Sequence, residues 1–220
     1  MSPLIDRKTM ESVFGAEELV TPADHLLDGI THRATREFLG EIGLPDRMGW
    51  FETDQLMVDG DLRIGGEAWQ RVAGRYPSCP FDMSVWLTLG SIRLDDVMVD
   101  VTTGVVYCIP EGGTPHLLNS TVDALAFFLH ALEEERPAYD PDAGTDELDP
   151  AGAEARLLRT MRRVDPRAME NPGSCWFTVL HYVSYLLGEP HCTSVNCRSA
   201  SALHPQQNAA PFRSRAGCLR

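Results

Sequence analysis

The stretch from Val85 to Arg136 constrains the fold more than any other part of the chain. Two β-branched runs, Val97–Val101 and Val105–Ile109, are separated only by Thr102-Thr103-Gly104. Branched side chains suit a pleated, half-buried surface, and a three-residue connection ending in glycine suits a hairpin whose last turn position has positive φ. Val85-Trp86-Leu87-Thr88-Leu89-Gly90 precedes them as a strand expected to stop at its glycine. Residues 122–136 follow as a helix, with Val122, Leu125, Ala126, Leu129 and Leu132 at helical spacing and Ser120 with Asp123 as its capping pair. Strands followed by a helix whose apolar face needs cover point to an α+β domain.

Other elements arrange around this centre. Thr21-Pro22-Ala23-Asp24 starts a short helix. Thr31 is expected to cap a second one over His32–Ile42, with Ala34, Phe38, Leu39 and Ile42 on its apolar side, ended by Gly43 and Leu44-Pro45. Gln55–Val58 and Leu62–Ile64 read as short strands. Asp149-Pro150 opens a helix to about Val164, Asp165-Pro166 breaks it, and Trp176–Leu187 forms the last. The organisation expected is an N-terminal extension over 1–20, a domain over 21–188 with an acidic linker at 137–150, and a basic tail over 189–220 that lacks fixed structure.

Charge narrows the partners. The chain has 19 Lys plus Arg against 32 Asp plus Glu, a net of −13. Nucleic-acid and anionic-membrane binding rely on basic side chains, so neither is expected as a partner, whereas a basic protein is. Between Glu133 and Glu154 nine acids face one base, Arg136. Glu133, Glu134, Glu135, Asp140 and Asp142 are therefore the first candidates for partner contact, and the pair Asp95-Asp96 the second. Solvated turns and linkers account for the same residues without any function. No N-terminal apolar run resembles an export signal and no stretch reaches membrane-spanning length, so a cytoplasmic location is expected.

No constellation supports catalysis, a cofactor or a metal. The six cysteines (Cys79, Cys108, Cys175, Cys192, Cys197, Cys218) are expected as reduced thiols. His181, His191, Cys192 and Cys197 offer only a C-x4-C spacing, unlike the close pairs of zinc sites. Cys108 and His116 are the nearest thiol–imidazole pair, but Cys108 lies in a run that reads as core. Gly65-Gly66 and Gly112-Gly113 lack phosphate-loop spacing. A small-ligand or enzymatic role would need a deep polar pocket, for which Trp50, Trp69, Trp86 and Tyr107 are the candidates; core or interface packing is the favoured reading of these rings.

The order of these features resembles a known family. A helix ending in Glu41-Ile42-Gly43-Leu44-Pro45, a strand ending in Leu89-Gly90, the Asp100–Val106 hairpin turn and Asn119-Ser120-Thr121 opening an amphipathic helix are similar to the SUKH superfamily of bacterial immunity proteins, in particular the SUKH-4 type common in actinobacteria. The resemblance implies an α+β fold with a mixed, mainly antiparallel sheet and flanking helices. It also implies that the protein binds and neutralises a cognate polymorphic toxin of nuclease or deaminase type, without catalytic residues. A general protein-interaction module with a non-toxin partner is the alternative.

Overall fold

The hairpin read from the sequence lies at the centre of a five-stranded antiparallel sheet in the computed structural model, which describes residues 3–22, 24–46, 49–59, 64, 73–111, 113–143 and 148–185. A small ribbon pairs β1 (Leu19–Val20) with β2 (Leu44–Pro45). The main sheet runs in chain order through β3 (Glu52–Thr53), β4 (Trp86–Ile92), β5 (Asp95–Asp100), β6 (Val106–Ile109) and β7 (His116–Asn119). The described helices are α1 (Arg7–Phe14), α2 (Asp24–Leu27), α3 (Arg33–Glu41), α4 (Gln55–Val58), α5 (Val122–Tyr139), α6 (Pro150–Val164) and α7 (Cys175–Tyr185). This is the α+β class, and every described strand pairing is antiparallel.

The period of two along each strand sorts side chains onto two faces. Leu87, Val97, Val99, Val106, Cys108 and Leu118 face the main core, which α1, α3, α5, α6 and α7 complete. Trp86, Met98 and Ile109 point the other way, into a smaller cluster with Met83, Phe81 and Tyr107. Both faces are thus covered, which explains why β4 and β5 read as nearly continuous apolar runs.

Glycine is required where backbone or a side chain comes too close for a Cβ. The turn between β5 and β6 closes on Gly104, at φ 77°, where a Cβ would lie 2.2 Å from the His32 ring. Gly90 does not stop β4, as expected, but lets it continue to Ile92: β3 passes so near that a Cβ there would stand 2.1 Å from the Glu52 carbonyl.

Several local expectations are corrected. Residues 55–58 form a helical turn, not a strand, because Asp54 Oδ1 accepts from the Leu56 amide and caps it. His32 rather than Thr31 caps α3, its Nδ1 facing the Thr35 amide, while the Thr31 hydroxyl donates to the Val101 carbonyl. Ala34 is exposed. The cap of α5 is Thr121, whose hydroxyl accepts from the Ala124 amide, since Ser120 is engaged elsewhere. That helix also passes Pro137 to Tyr139: burial of the Tyr139 ring and its hydroxyl bond to the Leu132 carbonyl at 2.9 Å hold the last turn. Strand β7 was not anticipated.

Residues 1–20, read as an extension, carry α1, whose Met10 and Phe14 are in the main core together with Ile5. Helix α6 begins at Pro150 under an Asp149 cap and ends before Asp165, as its sequence signals indicate. Of the acidic linker, 137–143 and 148–150 are described; the tail over 189–220, Leu62, Trp69, Gly65-Gly66, Gly112, His191, Cys192, Cys197 and Cys218 lie outside the described residues.

Candidate partner-binding surface

The acidic candidates converge at the C-terminal end of α5, but most are paired within the molecule. The Arg136 guanidinium donates to Glu133 at 2.9 Å and to Asp140 at 2.7 Å. Both are i,i+3 or i,i+4 contacts, as one helical turn dictates. Arg156, from α6, reaches Glu135 at 2.8 Å and Asp149 at 3.0 Å, tying the end of α5 to the start of α6. These partners hold Asp140 and Asp149 below the usual carboxylate range, chiefly through the arginine hydrogen bonds, and push both arginines up. Glu134 and Asp142 have no arginine partner among the described residues, and Glu134 is the more exposed of the pair it makes with His130 at 3.4 Å.

His130 is itself buried, and burial lowers its pKa despite the neighbouring Glu134 carboxylate. At neutral pH it therefore adds no cation to this edge.

Beside the carboxylates lies an aromatic corner. The Trp50 indole N–H donates to the Tyr139 hydroxyl at 2.8 Å, with the rings 6.4 Å apart. Trp50, Tyr139, Glu133, Arg136 and Asp140 line a cleft of about 190 Å³. Burial pushes the Tyr139 hydroxyl up to about 12, so it remains a neutral donor to Leu132 and an acceptor for Trp50. A larger groove, about 380 Å³, runs between α3 and the first turn of α5, lined by His32, Thr35, Phe38, Glu41, Val122 and Asp123 among others.

The second acidic pair sits at the opposite end of the hairpin from its turn. Asp95 and Asp96 are successive residues of β5 and so point to opposite faces. Asp96 is exposed but sits among like charges: partial desolvation, then Asp54 and Asp95, raise its pKa. Asp95 instead accepts from the Glu111 amide at 3.1 Å and faces the main core side. The structure therefore does not merge this pair with the α5 cluster into one described pocket.

The described candidates for an aromatic pocket, Trp50, Trp86 and Tyr107, do not assemble one. Trp86 stacks on Tyr107, with ring centroids 4.5 Å apart and 16° between planes, and Phe81 packs at 4.5 Å from Tyr107 on that same outer face of the sheet. Trp50 belongs to the main core side. The rings fill space against each other rather than frame a shared cavity.

Sequence reasoning passed over a buried polar knot that orders these elements. Asp165, 3% exposed, accepts from the Ser120 amide and hydroxyl, the Asn119 side-chain amide and the Ala168 amide. The Trp176 indole N–H in turn reaches the Leu118 carbonyl and Asn119 Oδ1, both at 3.2 Å. The signal was present as Asp165-Pro166 after a helix, but it reads equally as a simple break.

The fold and this edge define an α+β protein with helices packed on one face of an antiparallel sheet and an acidic, arginine-laced corner at the end of its long helix. Residues 5–182 match the SUKH-4 immunity protein family, and the chain belongs to it. No curated protein and no solved structure matches the chain. Among the described residues, no helix is long and apolar enough to cross a membrane.

Proposed function

We propose that the protein acts in the cytoplasm as an immunity protein, binding a cognate toxin domain of nuclease or deaminase type by direct contact and neutralising it. Membership of the SUKH-4 immunity protein family carries this reading. The acidic corner of α5 supports it in detail. A toxin that acts on nucleic acid or nucleotides presents a basic groove, and carboxylates at the rim of a complementary face raise the rate of encounter. Glu134 and Asp142 do the steering, because among the described residues no arginine neutralises their charge. Glu133, Glu135 and Asp140 keep Arg136 and Arg156 in place, and Trp50 supplies an amphipathic anchor beside them. Of the second pair, the exposed Asp96 forms a secondary acidic contact, whereas Asp95 is turned to the core side.

Co-expression tests the reading directly. A toxin domain encoded next to this chain should kill cells when expressed alone and be tolerated when this protein is co-expressed, with the two co-purifying as a stable complex. Survival without complex formation would refute neutralisation by contact, and no rescue at all would refute the immunity function.

A further inference from the structure

The fold brings together three side chains that the sequence keeps far apart. The Asp95 carboxylate, Cys108 Sγ and Cys175 Sγ all lie within 4.8 Å of one another. Asp95 opens β5, Cys108 is in β6 and Cys175 is the first residue of α7. Val97 pairs with Cys108 in the ladder, so Asp95, two residues earlier on the same face, stands diagonally beside it. Helix α7 then lowers Cys175 onto that face. Both thiols are buried, Cys108 fully and Cys175 to 5% exposure.

A fourth group shares their face of the sheet, its ring nitrogens lying outside that 4.8 Å set. His116 is the cross-strand partner of Cys108 in the pairing of β6 with β7, so the two side chains share a face. Its Nδ1 meets the Thr114 carbonyl at 3.1 Å, and because a carbonyl only accepts, Nδ1 carries the hydrogen. That leaves the Nε2 lone pair of the neutral ring, and Nε2 is buried with no hydrogen-bond partner. Orphaned buried nitrogens are uncommon and call for an occupant. An imidazole whose other N–H is fixed on a backbone carbonyl is the usual arrangement of a metal-bound histidine.

We propose that Asp95, Cys108 and Cys175 form a binding site for a thiophilic divalent cation of the zinc class, and that the His116 ring turns in from the same face to supply the fourth ligand. Two sulfurs select zinc-like ions over magnesium or calcium, which prefer oxygen ligands throughout. With Zn–S bonds of about 2.3 Å, tetrahedral sulfurs lie about 3.8 Å apart. The three ligand atoms, all within 4.8 Å of one another, are close enough to reach that spacing by side-chain rotation. The ion would pin the start of α7 to the middle of the sheet. The spacing along the chain conceals the site, since no two of its ligands form a close pair of the C-x2-C kind.

Without a cation the same thiols are simply a hydrogen-bonded pair in the core, and cobalt separates the two readings. The full-length chain, reduced and freed of metal, is titrated with Co²⁺ alone. The expected result is one equivalent bound, with a thiolate-to-cobalt charge-transfer band and the d–d bands of a tetrahedral site, displaced by Zn²⁺. Cys175→Ser should abolish stoichiometric binding. Asp95→Asn and His116→Gln, which leave the two thiols intact, should each weaken it about 10–100-fold. The triple variant Cys192→Ser/Cys197→Ser/Cys218→Ser should bind as the parent does, which excludes the tail thiols as the source. Absence of the band in the parent chain, its loss in the triple variant, or unchanged affinity in Asp95→Asn and His116→Gln overturns the site, whether or not Cys175→Ser folds.

Discussion

Asp165 accepts both hydrogens that Ser120 can offer, the backbone amide at 2.6 Å and the hydroxyl at 2.8 Å, across 45 residues of chain. Ser120 joins β7 to α5, and Asp165 joins α6 to α7, so one buried carboxylate fastens two corners of the domain. Its remaining capacity goes to Asn119 and to the Ala168 amide.

Asp165→Ala should therefore be among the most damaging single changes. It strands a buried amide, a hydroxyl and an Asn side chain together, at about 2–4 kcal/mol, or roughly 5–15 °C in Tm for a chain of this size. Thermal unfolding followed by circular dichroism measures this, and a Tm within about 2 °C of the parent would show that the knot does not hold the corners.

Tyr139 sets an alkaline limit. Its hydroxyl titrates near 10 when unfolded and is pushed up to about 12 in the folded protein, by burial first and then by Glu133, against the Trp50 hydrogen bond. The folded state thus favours the protonated form. This contribution to stability is complete below pH 10 and disappears as the pH rises through about 12. Tyr139→Phe should flatten the stability profile over that window, measured by denaturant unfolding at a series of pH values. An identical slope in both proteins would contradict the assignment.

Asp96 behaves in the same sense, but at acid pH. Its folded pKa is raised by desolvation, Asp54 and Asp95, so its ionised form is disfavoured by folding. Stability is lost as the pH rises through the interval above the ordinary value of 3.8. Asp96→Asn should gain about 0.5 kcal/mol at neutral pH, a small amount because solvent screens the repulsion, and nothing below the ordinary aspartate pKa. A destabilised Asp96→Asn at pH 7 would mean that the carboxylate makes a favourable contact instead.

The acidic corner should divide by partnership. Glu134→Gln with Asp142→Asn should slow association with the cognate toxin about 3–10-fold and reduce its salt dependence, with Tm little changed. Glu133→Gln with Asp140→Asn should instead release Arg136 and lower Tm, because their charge is already spent inside the molecule. Stopped-flow binding at several salt concentrations, beside thermal unfolding, distinguishes the pairs. Equal effects of both pairs on the association rate would dismiss the division.

The strands and the long helix were legible because their signals are local. The Val97–Ile109 hairpin follows from branched residues and one glycine with positive φ, and α6 from Asp149-Pro150 at its start and Asp165-Pro166 at its end. Capping was legible as a type of residue but not as an identity: Ser120 is as good a cap as Thr121 until Asp165 takes its hydroxyl. The acidic stretch was evident as a charge count, yet a count does not reveal that Arg156, one helix later, neutralises Glu135.

By itself, then, the sequence determined the α+β class, the hairpin, the main helices and the sign of the charge, all of which depend on neighbours within a few residues. Only the tertiary structure decided which carboxylates remain unpaired, that α1 fills the core, and that Asp95, Cys108 and Cys175 meet. Those outcomes depend on contacts between distant segments, and the packing of α1, α5, α6 and α7 against the sheet creates them.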